Sequence, residues 1–226
     1  MFWLFYPETL IVLLPALILA IYAQYKVRST YAKYLNVPLG RRITASQAAE
    51  LVLREAGVSG VRIEGTNRPL GDHYDPRTKA LRLSAPNSHS VAAVGVAAHE
   101  AGHAIQHARG YAPLALRSTI VPVASFGSQL AFPLFFIGLF FQSDLLVNVG
   151  IILFSAAVLF TLVTLPVEFN ASRRAVAALS SGGIVIREEL GGVKRVLTAA
   201  ALTYVAAAAM AALQLLSMLM VSNRRR

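Results

Sequence analysis

Two histidines and a glutamate stand close together near the middle of the chain, in the order His99-Glu100-Ala101-Gly102-His103. In a helix, residues four apart lie on the same side about one turn apart, so both imidazoles can bind one ion. Neutral imidazoles suit zinc, and a neighbouring carboxylate can take a proton from a zinc-activated water and deliver it to a leaving amine. The spacing predicts one zinc ion held by His99 and His103, with Glu100 as the general base of peptide hydrolysis.

A catalytic zinc usually has three protein ligands, so a third ligand must come from elsewhere in the chain. His107 lies about two helical turns from His99, too far along the axis to reach the same ion. Glu168 is the stronger candidate because it ends an apolar segment, where an ionisable residue is costly and indicates a functional site. Pro166 can kink that segment and aim the carboxylate. The alternatives are an ion pair of Glu168 with a nearby arginine, and a third ligand at His73, His89 or His107.

The composition indicates a membrane protein. Hydrophobic residues make up 56% of the 226 residues and charged residues only 14%, whereas about 25% is usual in soluble domains. Crossing the hydrocarbon core takes about 20 apolar helical residues. Four uncharged windows reach or approach that length, at residues 9–25, 118–143, 145–167 and 196–223.

The distribution of charge argues against a nucleic-acid partner. The net charge is +10, but the basic residues flank apolar windows and do not alternate with aromatic residues on a soluble module. The chain has no cysteine, which excludes disulfides and thiolate metal ligands. Any metal must therefore be held by histidine and carboxylate.

The same basic residues predict the topology. None precedes the first window, and five follow it, which favours an outside N-terminus and a cytoplasmic location for residues 26–117. Positive charge after the apolar core also favours a retained anchor over a secretion signal. The aromatic stretch 1–7 suits the membrane interface.

Residues 142–144 would form the outside turn of a helical hairpin. The fourth window is long enough to span, although Arg224, Arg225 and Arg226 would then lie outside. The alternatives are a re-entrant segment and a segment packed along the bundle.

The region between the first two windows has the patterning of a soluble fold. Thr44 and Gln47 match a capping box, which predicts a helix ending near Ala56. Alternation predicts a strand at 61–64, and residues 73–78 are typical of a hairpin turn before a second strand at 80–84. An alanine-rich helix is predicted over 90–109, ended by Gly110.

Three segments together resemble the YugP-type neutral zinc metallopeptidases, a bacterial membrane family. They are Asp72-His73-Tyr74-Asp75-Pro76, residues 98–106 around the two histidines, and residues 165–172 around Glu168. The resemblance covers nearly the whole chain. It implies a gluzincin-like site in which His99, His103 and Glu168 bind zinc and Glu100 is the base.

The chain is more distantly similar to the membrane heat-shock and CAAX-processing zinc proteases. Their third ligand lies in a Glu-x-x-x-Asp motif, and here Ser172 stands where that Asp would be. An Asp there would orient a zinc-bound histidine, so Ser172 or Asn170 is expected to take this role. Hydrolysis also needs a donor for the developing oxyanion, and the candidates, each with a structural role as the alternative, are His73, Tyr74, Arg173 and Arg174.

These observations predict an α+β zincin-like catalytic region combined with an α-helical membrane bundle of about four transmembrane helices. The expected divisions are helix 1 at 1–25, the cytoplasmic zincin-like region at 26–117, a hairpin of helices 2 and 3 at 118–167, a cytoplasmic segment with the third ligand at 168–195, and helix 4 with a basic tail at 196–226.

The predicted function is zinc-dependent peptide hydrolysis at the cytoplasmic face of a bacterial inner membrane. The expected substrates are membrane proteins or peptides that reach this face of the lipid bilayer. The alternative is a non-catalytic membrane scaffold with a structural zinc site. A structural site usually has four protein ligands, so a fourth ligand such as His73 or His107 would favour the scaffold, whereas Glu100 favours the enzyme.

Overall fold

The computed structural model describes residues 7–68 and 71–224. In chain order its elements are α1 (Pro7–Leu35), α2 (Ala45–Glu55), β1 (Arg62–Gly65), β2 (His73–Asp75), β3 (Ala80–Leu83), α3 (Val91–Ala108), α4 (Ala112–Phe140), α5 (Asp144–Ser181) and α6 (Arg187–Asn223). The interfacial role expected for the stretch before Pro7 and the placement of Arg225 and Arg226 lie outside the described residues.

Contacts divide the chain into two compact units. The apolar unit comprises Met1–Gln24, Leu116–Leu165 and Thr203–Arg226, and the mixed unit comprises Tyr25–Ala115 and Pro166–Leu202. All four long helices, α1, α4, α5 and α6, therefore contribute residues to both units. The part of the chain that the structure describes is mostly helical, with one small sheet in the mixed unit.

Four helices, α1, α4, α5 and α6, are long and apolar enough to cross a membrane. A helix satisfies its own backbone hydrogen bonds, as the hydrocarbon core requires. Large apolar side chains stay exposed along these helices, among them Ile11, Phe126 and Ile152, as expected of a surface that lipid covers. The prediction of four membrane-capable helices is confirmed.

Within the apolar unit, α4 and α5 are joined by a short turn at residues 141–143. Their backbones approach closely because glycine lies at the contact: a Cβ atom on Gly150 would be only 2.8 Å from the carbonyl oxygen of Ala131. Small residues permit such close packing of apolar helices. Phe135 is fully buried beside this contact.

Helix α5 is longer than the apolar window that indicated it. It continues from Asp144 through Pro166 to Ser181, so Glu168 lies inside a helix and not in the segment that follows one. An apolar window gives only the length of helix that lipid could cover, whereas the helix itself can continue through polar residues. Helix α5 ends before Gly182 and Gly183, and Gly183 has a φ of 57°, a left-handed conformation typical of residues that follow a helix.

In the mixed unit, α2 begins at the predicted capping box. The Thr44 hydroxyl accepts a hydrogen bond from the Gln47 backbone N–H at 3.1 Å, and the Gln47 side chain accepts from the Thr44 backbone N–H at 2.9 Å. Both bonds satisfy donors that a helix start leaves free. The helix ends at Glu55, with Ala56 as its C-cap, as expected from the sequence.

The sheet has the order β1-β3-β2. Strand β1 pairs in parallel with β3, and β2 pairs antiparallel with β3, with Ile63 and Tyr74 both opposite Leu81. The expectation that residues 73–78 form only a turn is wrong, because residues 73–75 are edge strand β2 and the turn is at 76–79. The hairpin therefore consists of β2 and β3.

Helix α3 packs against α2 and the sheet. Its N-cap is Ser90, whose hydroxyl accepts from the Ala93 backbone N–H at 3.2 Å, and it ends before Gly110, as predicted. The core of the mixed unit is built from small and medium apolar side chains of several elements, namely Val52, Leu81, Val94, Leu179 and Val193. Packing against this core fixes the orientation of α3 and therefore the direction of the face that carries the two histidines.

Candidate metal centre

Helix α3 places His99 and His103 side by side, as their spacing predicts. Their ring centroids are 4.7 Å apart and the rings are nearly perpendicular. Both imidazoles are partly buried, and Glu100 between them in sequence is buried. The helix thus presents two nitrogen ligands to one point.

Helix α5 brings Glu168 to the same point, 69 residues away in sequence from His99. Its Oε2 atom lies 3.2 Å from Nε2 of His99 and 3.5 Å from Nε2 of His103. The Glu168 side chain is only 3% exposed. Among residues 7–68 and 71–224, these three side chains form the group of potential ligands that can hold a metal ion, with ligand atoms within 4.8 Å of one another.

A glycine allows α3 and α5 to come this close. A Cβ atom on Gly102 would lie 2.6 Å from the backbone oxygen of Ala171, well below an ordinary carbon–oxygen contact. Glycine inside a helix costs about 0.5–1 kcal/mol relative to alanine. The close approach of the two backbones explains why a glycine occupies this position between Glu100 and His103.

The donor set and its spacing fit zinc. Two imidazole nitrogens and one carboxylate oxygen are ligands that zinc accepts in catalytic sites. In a tetrahedral site with bonds of about 2.0–2.1 Å, ligand atoms lie about 3.3–3.4 Å apart. The distances of 3.2 and 3.5 Å from the Glu168 oxygen to the two nitrogens match this spacing.

The electrostatics of the site also favour a cation. Burial lowers the pKa of His103, but its hydrogen bond to Glu168 and the negative charges of Glu100 and Glu168 raise it by more. The resulting pKa of His103 is above its ordinary value, which means that the pocket stabilises a positive charge. A metal cation can replace that proton.

Each histidine is held through its second ring nitrogen. Nδ1 of His99 lies 3.0 Å from the Ser172 hydroxyl, and Nδ1 of His103 lies 3.0 Å from Oε1 of Gln106. Such contacts orient the ring and leave Nε2 directed at the metal position. Ser172 therefore lies where the sequence placed an orienting group, whereas Asn170 contacts Gln106 and not a histidine.

Sequence reasoning gave Gln106 no role. It is fully buried, and its side chain also donates to the backbone oxygen of Val167 at 2.8 Å. The signal that could have revealed it is its position three residues after His103, because residues three apart are neighbours on a helix surface.

Glu100 is held beside the metal-binding group and is not a member of it. Its Oε2 atom accepts a hydrogen bond of 2.9 Å from the backbone N–H of Tyr74 in strand β2. The side chain is buried. Edge strand β2 thus positions this carboxylate, and this contact depends on residues 73–75 being a strand.

The other sequence candidates lie outside the group of potential ligands formed by His99, His103 and Glu168. The Tyr74 hydroxyl lies 2.9 Å from Nδ1 of His107, so His107 makes a polar contact near the helix end. Nδ1 of His73 lies 2.8 Å from the backbone oxygen of Gly71. Arg173 is exposed on α5, while Arg174 donates to Asn170 at 2.7 Å.

Comparison with known proteins identifies the family of the chain. Residues 9–223 match a family described as "putative neutral zinc metallopeptidase". The "Putative membrane protease YugP" of Bacillus subtilis (strain 168) is 46% identical over 208 residues, which cover 91% of this chain and 92% of that protein. No solved structure matches the chain. With a family match over almost its whole length, the chain belongs to the putative neutral zinc metallopeptidases.

Proposed function

We propose that this protein is a membrane-embedded zinc metalloendopeptidase that hydrolyses peptide bonds at the cytoplasmic membrane face. The observation that carries the proposal is the convergence of His99, His103 and Glu168, with Glu100 buried next to them. Family membership and the name of the Bacillus relative support a zinc-dependent protease. The proposed catalytic region is zincin-like, since the histidine-bearing helix packs behind an edge strand.

His99, His103 and Glu168 would hold one zinc ion. When bound, zinc supplies Lewis acidity, which polarises the peptide carbonyl and lowers the pKa of water. These three side chains would supply the three protein ligands of a catalytic zinc site, in which the fourth position is taken by water or substrate. A structural site normally has four protein ligands, and the ligand group found among the described residues has three. This observation favours the enzyme over a zinc-containing scaffold.

Glu100 is the proposed general base. Its Oε2 atom accepts the N–H of Tyr74, so the carboxylate is held with Oε1 as the oxygen that takes up a proton. It would accept the proton of the attacking water and then donate it to the nitrogen of the leaving amine. Because the same group gives up the proton that it received, the carboxylate is regenerated at the end of each cycle.

The location of the site suggests the class of substrate. Glu168 belongs to α5, one of the four membrane-capable helices, so the site should not assemble in an excised soluble fragment. The basic residues Lys26, Arg28 and Lys33 after the first apolar window place residues 26–117 in the cytoplasm in this proposal. The substrates are then membrane proteins or peptides that reach the cytoplasmic face, and the bilayer is the bacterial inner membrane.

Replacement of the base tests the proposal. In purified full-length protein, Glu100→Gln should keep zinc but lower the hydrolysis of an unstructured protein such as casein by about 100-fold or more, because an amide cannot accept the proton. Glu50→Gln is the matched control, since Glu50 is exposed on α2; it should leave turnover unchanged. Unchanged turnover in Glu100→Gln would reject the proposed function.

A further inference from the structure

A chain of hydrogen bonds, buried or partly buried, runs from α5 to the imidazole of His103. Gln106 is at its centre: Nε2 contacts the Val167 backbone oxygen at 2.8 Å and Oδ1 of Asn170 at 3.0 Å, and Oε1 contacts Nδ1 of His103 at 3.0 Å. At the far end, Nε of Arg174 donates to Oδ1 of Asn170 at 2.7 Å. All these residues belong to the mixed unit.

The direction of this chain follows from the chemistry of its ends. A backbone carbonyl oxygen can only accept a hydrogen bond, so the amide group of Gln106 must present its nitrogen to Val167. An arginine can only donate, so Asn170 must present its oxygen to Arg174, and this same oxygen accepts from Gln106. Both partners of the Gln106 nitrogen are therefore acceptors, which fixes the orientation of the amide.

The fixed amide determines which nitrogen of His103 carries the proton. With its nitrogen committed to α5, Gln106 directs its oxygen at Nδ1 of His103, and an amide oxygen only accepts. Nδ1 of His103 must then be protonated. Nε2 of His103 lies 3.5 Å from Oε2 of Glu168 and can donate a proton to it, and this is the proton that a metal cation can replace. A metal ligand needs this arrangement, in which Nδ1 keeps its proton and the Nε2 lone pair is given to the metal.

His99 lacks an equivalent constraint in its contact with Ser172. A serine hydroxyl can donate or accept, so the 3.0 Å contact with Nδ1 of His99 is compatible with a protonated or an unprotonated Nδ1. Of the two Nδ1 contacts, only that between His103 and Gln106 therefore requires a protonated Nδ1.

We propose that Gln106 is a positioning residue that selects the metal-binding tautomer of His103 and ties it to the part of α5 that carries Glu168. This inference deepens the proposed function and rests on it. Gln106 acts through His103 and touches neither substrate nor metal. Gln106 is completely buried and donates to the backbone oxygen of Val167, the residue before Glu168. Its amide is therefore held in a fixed position within the site.

Two substitutions of Gln106 separate hydrogen bonding from packing. Gln106→Met keeps most of the side-chain length but removes the acceptor for His103, so the dissociation constant for Zn²⁺ should rise about 10- to 100-fold. Gln106→Glu keeps an oxygen acceptor, and its buried acid can stay protonated and donate to Val167. Its zinc dissociation constant should stay within about threefold of that of the unaltered protein, an estimate from the retained contact.

Gln47→Met is the matched control. Gln47 belongs to the capping box of α2, so its replacement removes a helix-capping contact without touching the site, and zinc affinity should not change. Affinities are measured on full-length protein in detergent with Zn²⁺ alone, in competition with a chromophoric chelator. Wild-type affinity in Gln106→Met, or an equal loss in Gln106→Glu and Gln106→Met, would overturn the proposal.

The tautomer itself can be observed in zinc-free Glu168→Ala protein, which lacks the carboxylate that competes for the Nε2 proton. With 15N-labelled histidine, at alkaline pH where the imidazole is neutral, NMR should show a protonated Nδ1 and an unprotonated Nε2 for His103. The opposite tautomer would overturn the role of Gln106 even if the protein binds zinc and hydrolyses peptides. Failure of the unaltered protein to bind zinc would instead reject the proposed function, and the tautomer measurement would still decide the role of Gln106.

Discussion

Gly102→Ala tests how α3 and α5 are held close enough to complete the metal centre. The new Cβ atom would lie 2.6 Å from the backbone oxygen of Ala171, whereas carbon–oxygen contacts between backbones are normally about 3.3 Å or longer. The two helices must therefore separate locally by about 0.7 Å. Functional constellations tolerate about 0.5 Å. The separation would move Glu168, which lies on the same helix as Ala171, away from the imidazoles.

Gly102→Ala should lower both the stability of the protein and its affinity for zinc. Overpacking costs about 1–3 kcal/mol, while replacing glycine by alanine inside a helix recovers about 1 kcal/mol. The net loss of stability for Gly102→Ala is then about 0–2 kcal/mol. Zinc affinity should fall at least about 10-fold, as expected when the geometry of a metal site is disturbed.

Gly95→Ala is the matched control on the same helix. Its Cβ atom would meet a side-chain atom, Cγ1 of Val193, at 3.2 Å, and a side chain can give by a few tenths of an ångström. This variant should keep zinc affinity and show a stability equal to or slightly above that of the unaltered protein. Both variants are compared by thermal unfolding followed by circular dichroism and by zinc titration. Unaltered zinc affinity in Gly102→Ala would show that the close approach of α3 and α5 at Gly102 is not needed for the metal centre.

Three further predictions follow from the same structure. His107→Ala should leave zinc bound, because His107 contacts the Tyr74 hydroxyl and not the metal position; a loss of zinc measured by atomic absorption would contradict this. Removal of zinc by a chelator should abolish hydrolysis, and added Zn²⁺ should restore it; activity that persists without metal would exclude a zinc enzyme. The chain has no cysteine, so single cysteines report topology cleanly: on intact cells an impermeant maleimide should label Phe141→Cys but neither Arg54→Cys nor Ser180→Cys, and the reverse pattern would overturn the orientation.

The helices of the mixed unit could be predicted because their ends depend on neighbouring residues. Thr44 and Gln47 hydrogen-bond to each other across three residues, and Ser90 caps α3 in a similar local way. Such signals are complete in the sequence. The ends of α2 and α3 therefore lie within about a residue of their predicted positions, well inside the usual uncertainty of such boundaries.

Strand β2 could not be predicted because its structure depends on distant partners. Residues 73–75 contain the Asp that precedes Pro76, a pair typical of turns. What makes them a strand is pairing with β3 and the bond from Tyr74 to Glu100, 26 residues away. Long-range hydrogen bonds of this kind leave no periodic signal in a three-residue segment.

The sequence could indicate the candidate ligands of the site but not the residues that orient them. The spacing of His99 and His103 requires only helix geometry, and Glu168 stands out as an ionisable residue at the end of an apolar window. The role of Gln106 needs knowledge of α5, because its partners Val167 and Asn170 are more than 60 residues away. A polar side chain inside a helix has no evident role until its partners are known.

Zinc binding by Glu168→Ala tests most directly whether a membrane-capable helix completes the metal centre. Removing one of three protein ligands should weaken zinc binding by more than the roughly 10- to 100-fold expected for the loss of an orienting partner, and hydrolysis should cease. The measurement is the zinc content and dissociation constant of purified full-length protein, with and without the substitution. We expect one zinc per chain in the unaltered protein and loss of zinc in Glu168→Ala. Full zinc content at unaltered affinity in Glu168→Ala would contradict the assignment of Glu168 as the third ligand.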